Sequence, residues 1–328
     1  MKLKISAISY HLPSLVETND TLKEDNPDWD IPKILDKTGI LTRYISAADE
    51  TAVDLAFEAG TKLLHSDIVN LEEIDLLILV TQSPDFVLPT SACILQDKLG
   101  LTKRCMAFDI NLGCSGFIYA LSVAGGLIES GVATKGIILC ADTYSKYIAK
   151  NDRTCRPIFS DGASAVFVEL SKTDDIGPFD FGTDGSGFDK LIVKGSGARN
   201  PNLIKNKSTS NLEMNGSNVF LFTMNVVPKS INNLLSRTSK TLDDIDLIVF
   251  HQASKLVIDN IIKKLSLDEK KVFINYASIG NTVSATIPIA LKDASSQGRL
   301  KAGDTVMVVG FGVGLSWGAT LINWTSQG

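Results

Sequence analysis

Histidine is scarce in this chain: His11, His65 and His251 are the only three among 328 residues. The five cysteines, Cys93, Cys105, Cys114, Cys140 and Cys155, form an odd set without metal-ligand spacing. These features argue against a metal centre and a disulfide framework, and they predict free thiols in a reducing cytoplasm. A long apolar run is also missing. The most apolar stretch, 306–322, is interrupted by Gly310, Gly312, Gly314 and Gly318. It reads as strand, glycine turn and strand, and predicts no membrane span. The start, MKLKISAISYHLPS, is positive, but its apolar run is too short for a signal peptide. Basic charge is not in excess: the formal net charge of -5 argues against nucleic acid as the main partner. With 44% hydrophobic and 21% charged residues the chain reads as soluble and globular. Its length suits two domains or one body of two similar halves.

Two blocks of sequence recur in the same order. LEEIDLLILVTQS at 71–83 is similar to LDDIDLIVFHQAS at 242–254, each an acidic turn followed by a strand rich in Leu, Ile and Val. INLGCSGF at 110–117 then lies over ASIGNTVS at 277–284, which matches Gly113 to Gly280 and Cys114 to Asn281. In both halves a helical stretch follows and ends at a glycine, Gly131 or Gly298, before another buried strand. The pattern predicts a duplicated α/β chain, 1–172 carrying Cys114 and 173–328 carrying His251 and Asn281. In such a body Cys114 and Asn281 meet at facing helix starts.

The stretch FDINLGCSGFIYAL places Cys114 between glycines where a strand turns into a helix. A helix N-terminus favours a thiolate, so the position predicts a thiol of lowered pKa that serves as a nucleophile. The other four cysteines read as small buried apolar residues. His251 ends the buried strand DLIVF in the opposite half, where catalytic groups gather in α/β bodies. His11 and His65 read as structural or solvated.

DINLGCSGF, HQAS and GNTVSATIP resemble the cysteine, histidine and asparagine motifs of β-ketoacyl-acyl-carrier-protein synthase III, in the thiolase superfamily. GFGVGLSWGA is similar to that family's glycine loop, and FSDGASAVFVEL to its acidic-glycine strand. The resemblance implies a duplicated thiolase-like fold with two mixed sheets, layered αβαβα, in a cytoplasmic homodimer. It implies that Cys114 accepts an acyl group from acyl-CoA and condenses it with malonyl-acyl carrier protein, with no cofactor or metal. His251 and Asn281 then hold the enolate oxygen left by loss of carbon dioxide, and backbone N–H groups of Cys114 and Val313 form a second oxyanion hole. By the same resemblance Lys37, Arg153 and Trp29 contact CoA, although Trp29 lies farther from Thr38 than the family spacing. Lys263 and Lys264 fall on carrier-protein docking positions. Leu88, in SPDFVLPTSAC, falls where the family places a phenylalanine in the partner's acyl pocket.

The sequence departs from the housekeeping pattern at Asn111, Leu112, Gly113 and Val313, which points to a specialised paralogue. Two other functions remain open at this stage. A non-condensing acyltransferase on the same fold would pass the acyl group to an alcohol, amine or thiol. A catalytically dead partner subunit would not need the complete Cys-His-Asn set.

Overall fold

The run Leu76–Val80 has no polar face, and it forms a strand buried along its whole length, as a parallel strand between two helical layers must be. The computed structural model describes residues 1–66, 68–199 and 211–325. Its strands, in chain order, are β1 (Leu3–His11), β2 (Leu15–Thr18), β3 (Thr42–Ile45), β4 (Leu76–Val80), β5 (Met106–Ile110), β6 (Lys135–Asp142), β7 (Gly162–Leu170), β8 (Ile176–Thr183), β9 (Leu191–Val193), β10 (Leu212–Met214), β11 (Leu247–Phe250), β12 (Thr305–Gly312) and β13 (Ser316–Asn323).

Two mixed sheets result. The first has the order β1-β7-β6-β4-β5 and the second β11-β12-β13-β8. β4 runs parallel to β5 and β6, and β11 parallel to β12. Val272 bridges Ile248 in parallel, and the Phe273 N–H donates to Ile248 O at 3.0 Å. Residues 272–273 thus stand beside β11 as β5 stands beside β4. Read from the antiparallel edge, β8-β13-β12-β11 repeats β1-β7-β6-β4. We propose on this correspondence that the chain divides into like halves at 172/173, in the connection between β7 and β8.

Helices fill the layers around the sheets. Gly116–Glu129 and Thr286–Ser296 lie between them, where Phe117, Leu121, Ala124, Ile287 and Ala290 join Val80, Val249 and Val308 in one core. Burying a side chain such as Phe117 or Leu121 contributes about 1.5–3 kcal/mol. Gly116 lets the first helix touch its sheet, since a Cβ there would lie 2.4 Å from Val80 Cγ1. Ala52–Leu64 and Ser91–Lys98 cover the outer face of the first sheet, and Gly216–Thr238 and Lys255–Leu265 that of the second. A capping box of Thr51 and Asp54 starts the helix Ala52–Leu64. The order is αβαβα. Cys114, His251 and the 312–314 loop all follow the C-terminal ends of strands β5, β11 and β12, at one end of the two sheets.

Candidate active site

Cys114 lies in the corner between β5 and the helix Gly116–Glu129. The corner packs against β12 because two positions there lack a side chain. A Cβ on Gly310 would lie 2.7 Å from the Cys114 carbonyl oxygen, and one on Gly312 would lie 2.7 Å from its Sγ. The backbone N–H groups of Val313 and of Cys114 itself favour negative charge on the sulfur. They are the two groups expected to form the second oxyanion hole.

The structure corrects the expectation of a thiol lowered by its helix. Cys114 is 5% exposed, and burial pushes the thiol up to about 12. The Val313 N–H opposes that shift and the Asp142 carboxylate adds to it. A helix start supplies only a partial charge, and here the loss of water around the sulfur outweighs it. The resting group is a thiol, and the N–H donors are placed to hold negative charge when the reaction creates it.

His251 is buried just after the end of β11, and its backbone N–H donates to Val309 O at 2.8 Å. Burial pushes the imidazole down to about 3, so the ring is neutral at physiological pH. Its Nδ1 lies 2.7 Å from Thr286 Oγ1, and Phe311 stands edge-on to the ring. Asn281 joins the halves through its backbone: its N–H donates to Ile158 O at 3.0 Å, and its O accepts the Ser160 N–H at 2.9 Å. Asn281 Oδ1 accepts the Val283 N–H at 2.9 Å, which turns Nδ2 toward His251 Nε2 at 3.4 Å. Val283 has φ +55°, a left-handed conformation that a β-branched residue rarely adopts and that tends to persist at functional sites.

A cavity of about 1050 Å³ has Cys114, His251 and Asn281 in its lining, together with Lys37 and Arg153. The sequence-predicted triad and the two basic residues therefore share one space. Trp29 does not line it. It is buried against Leu22 and Ile34 in a small core of its own, so its ring is not available to stack on adenine, and that expectation is corrected. Lys263 and Lys264 are exposed near the end of the helix Lys255–Leu265, and Lys264 Nζ donates to Met224 O at 2.8 Å. Leu88 is 80% exposed beside exposed Phe86 and Val87. The loop does not pack these side chains onto its own chain.

Sequence reasoning missed three buried groups around the triad. Thr286 stands inside the quoted GNTVSATIP motif, five residues after Asn281, but nothing in the motif says that it meets His251. Asp142, at the end of β6, accepts hydrogen bonds from the Gln82 N–H at 2.8 Å and Ser284 Oγ at 2.6 Å, and so ties the two halves together. Burial pushes its carboxyl up to about 7. Tyr144 packs in one apolar cluster with Cys114, Phe159 and Val283, and its hydroxyl donates to Gln82 Oε1 at 2.7 Å.

Comparison with known proteins identifies the family. A family model described as 3-oxoacyl-[acyl-carrier-protein] synthase III matches residues 108–185, and the model of that family's C-terminal part matches residues 235–324. The chain is 40% identical over 324 residues to a beta-ketoacyl-[acyl-carrier-protein] synthase III of Clostridium perfringens, covering 97% of this chain and 98% of the relative. It is 36% identical over 322 residues to the enzyme of that name from Clostridioides difficile, covering 97% and 94%. Among solved structures, a 3-oxoacyl-(acyl-carrier-protein) synthase III superposes with a TM-score of 0.95 at 43% identity, over 99% of this chain and 100% of the other. The priming beta-ketosynthase of the R1128 polyketide biosynthetic pathway superposes with a TM-score of 0.91 at 27% identity, over 99% and 97%. The chain belongs to the 3-oxoacyl-[acyl-carrier-protein] synthase III family, condensing acyltransferases of thiolase-like fold.

Proposed function

We propose that this enzyme takes an acyl group from acyl-CoA onto Cys114 and condenses it with malonyl-acyl carrier protein to give a 3-oxoacyl thioester. The observation that carries the reading is the shared cavity, in which Cys114, His251 and Asn281 stand together with basic Lys37 and Arg153. Lys37 and Arg153 bind the CoA portion. The Cys114 sulfur attacks the thioester carbonyl carbon, and the oxyanion accepts hydrogen bonds from the N–H groups of Cys114 and Val313. CoA leaves as its thiol, carrying the proton that Cys114 gave up.

Malonyl-carrier protein then docks against Lys263 and Lys264. Its carboxylate leaves as carbon dioxide, and the electron pair becomes an enolate whose oxygen accepts from Asn281 Nδ2 and His251 Nε2. The α-carbon attacks the acyl-Cys114 carbonyl, and collapse of that intermediate returns the thiolate, which takes a proton from water. The thioester supplies the activation and decarboxylation the carbanion, so the chemistry calls for no cofactor.

The enzyme acts as a cytoplasmic homodimer in which the exposed loop carrying Leu88 closes the partner's acyl pocket. Val313, with a branched side chain beside Gly113 in place of the family's glycine, fits a specialised acyl preference.

The test is a product assay with acetyl-CoA and malonyl-carrier protein. It should yield a 3-oxoacyl-carrier protein and one carbon dioxide per product. Acyl transfer to an alcohol, amine or thiol without carbon dioxide release would replace this reading with the non-condensing acyltransferase.

A further inference from the structure

The imidazole of His251 is neutral and buried, so what it offers to a ligand depends on which nitrogen carries its single proton. Its Nε2 faces Asn281, and its Nδ1 faces Thr286 Oγ1 at 2.7 Å. Thr286 is itself buried at the start of the helix Thr286–Ser296. Its hydroxyl has one proton and two candidate acceptors, His251 Nδ1 and Val283 O, the latter at 3.1 Å.

The Asn281 side chain decides between them. The Val283 N–H fixes its oxygen, so Nδ2 is the atom that stands beside His251 Nε2. The separation of 3.4 Å is long for a hydrogen bond between two nitrogens and suits two donors that both point toward a third atom. An oxygen accepting from both completes the arrangement. Nε2 then carries the proton, and Nδ1 is the acceptor that the Thr286 hydroxyl satisfies over the shorter of its two contacts.

We propose that Thr286 is a positioning residue that donates to His251 Nδ1, fixes the Nε2–H tautomer and aims that N–H at the enolate oxygen. The inference rests on the condensing reading, because an oxyanion beside His251 and Asn281 is what gives the tautomer its importance. It predicts unequal effects on the two half-reactions. Acyl transfer to Cys114 uses the backbone N–H groups of Cys114 and Val313, whereas malonyl decarboxylation uses the His251 and Asn281 donors.

The test compares Thr286→Val, which keeps the shape and loses the hydroxyl, with Thr286→Ser, which keeps the hydroxyl and loses the methyl. Acyl transfer is followed by intact mass, and decarboxylation by carbon dioxide release. In Thr286→Val, decarboxylation should fall at least tenfold more than acyl transfer, in kcat rather than KM, and Thr286→Ser should recover most of that difference. In the wild-type protein labelled with ¹⁵N-histidine, the His251 resonances should report a protonated Nε2 and a bare Nδ1.

Equal loss in Val and Ser variants would make the role one of packing and overturn the proposal, as would a wild-type spectrum with Nδ1 protonated. The spectrum also serves if Thr286→Val fails to fold. Normal condensation with an unaffected Thr286→Val variant would sink this inference alone and leave the proposed function standing.

Discussion

Removing the Asn281 amide tests the division of labour most sharply. The side chain is not free to swing, because the Val283 N–H holds Oδ1 at 2.9 Å and leaves Nδ2 as the donor facing His251. On the proposed reading Asn281→Ala deletes one donor to the enolate and leaves the Cys114 corner, the Val313 N–H, Lys37 and Arg153 in place. Loss of one preorganised oxyanion donor costs about 3–4 kcal/mol, or roughly 10²–10³ in rate. Decarboxylation of malonyl-carrier protein should fall by that factor, while acyl transfer from acyl-CoA falls by less than about tenfold. Asn281→His, which supplies an N–H from a longer side chain, should recover part of the loss. The two half-reactions are read separately, by carbon dioxide release and by the mass added to the protein in the absence of malonyl-carrier protein. If Asn281→Ala slows both equally, the donor is not specific to the enolate and the assignment is wrong.

His251→Ala should show the same imbalance, since the histidine shares the enolate oxygen. Because burial holds the Cys114 thiol up at about 12, its alkylation by iodoacetamide in the resting enzyme should rise about tenfold per pH unit from 7 to 10. A plateau below pH 9 would mean that the helix start outweighs burial. Leu88→Phe should shift acyl preference toward shorter chains, by about 0.8 kcal/mol for each methylene displaced, when acyl-enzyme formation is measured across chain lengths. An unchanged profile would remove Leu88 from the pocket. Changing Lys263 and Lys264 to Glu should raise KM for malonyl-carrier protein more than KM for acyl-CoA, with the docking role rejected if both are unmoved.

The fold was legible because its periods are local and repeated. The apolar runs at 76–80 and 247–250, each behind an acidic turn, are strands β4 and β11 in matching places of the two sheets. That Cys114, His251 and Asn281 come together in one cavity was legible for a related reason, since each stands at the end of an element whose sequence marks its own boundary. The state of the thiol was not, because a helix start is visible in sequence but the β12 glycines that bury the sulfur come from the other half. Thr286 and Asp142 act through contacts between distant segments, His251 Nδ1 in one case and Gln82 and Ser284 in the other. Trp29 misled because its role was taken from the family resemblance despite its greater distance from Thr38, whereas the connection between the helices Asn19–Asp25 and Ile31–Thr38 folds it against Leu22 and Ile34.

The central step of the proposed reaction is a covalent intermediate at Cys114. Purified protein mixed with acetyl-CoA should gain one acetyl mass, located on the peptide containing Cys114. That mass should disappear when malonyl-carrier protein is added, with a 3-oxobutanoyl-carrier protein formed in equal amount. Label on Cys93, Cys105, Cys140 or Cys155 instead, or an acetyl group that malonyl-carrier protein does not discharge, would contradict it.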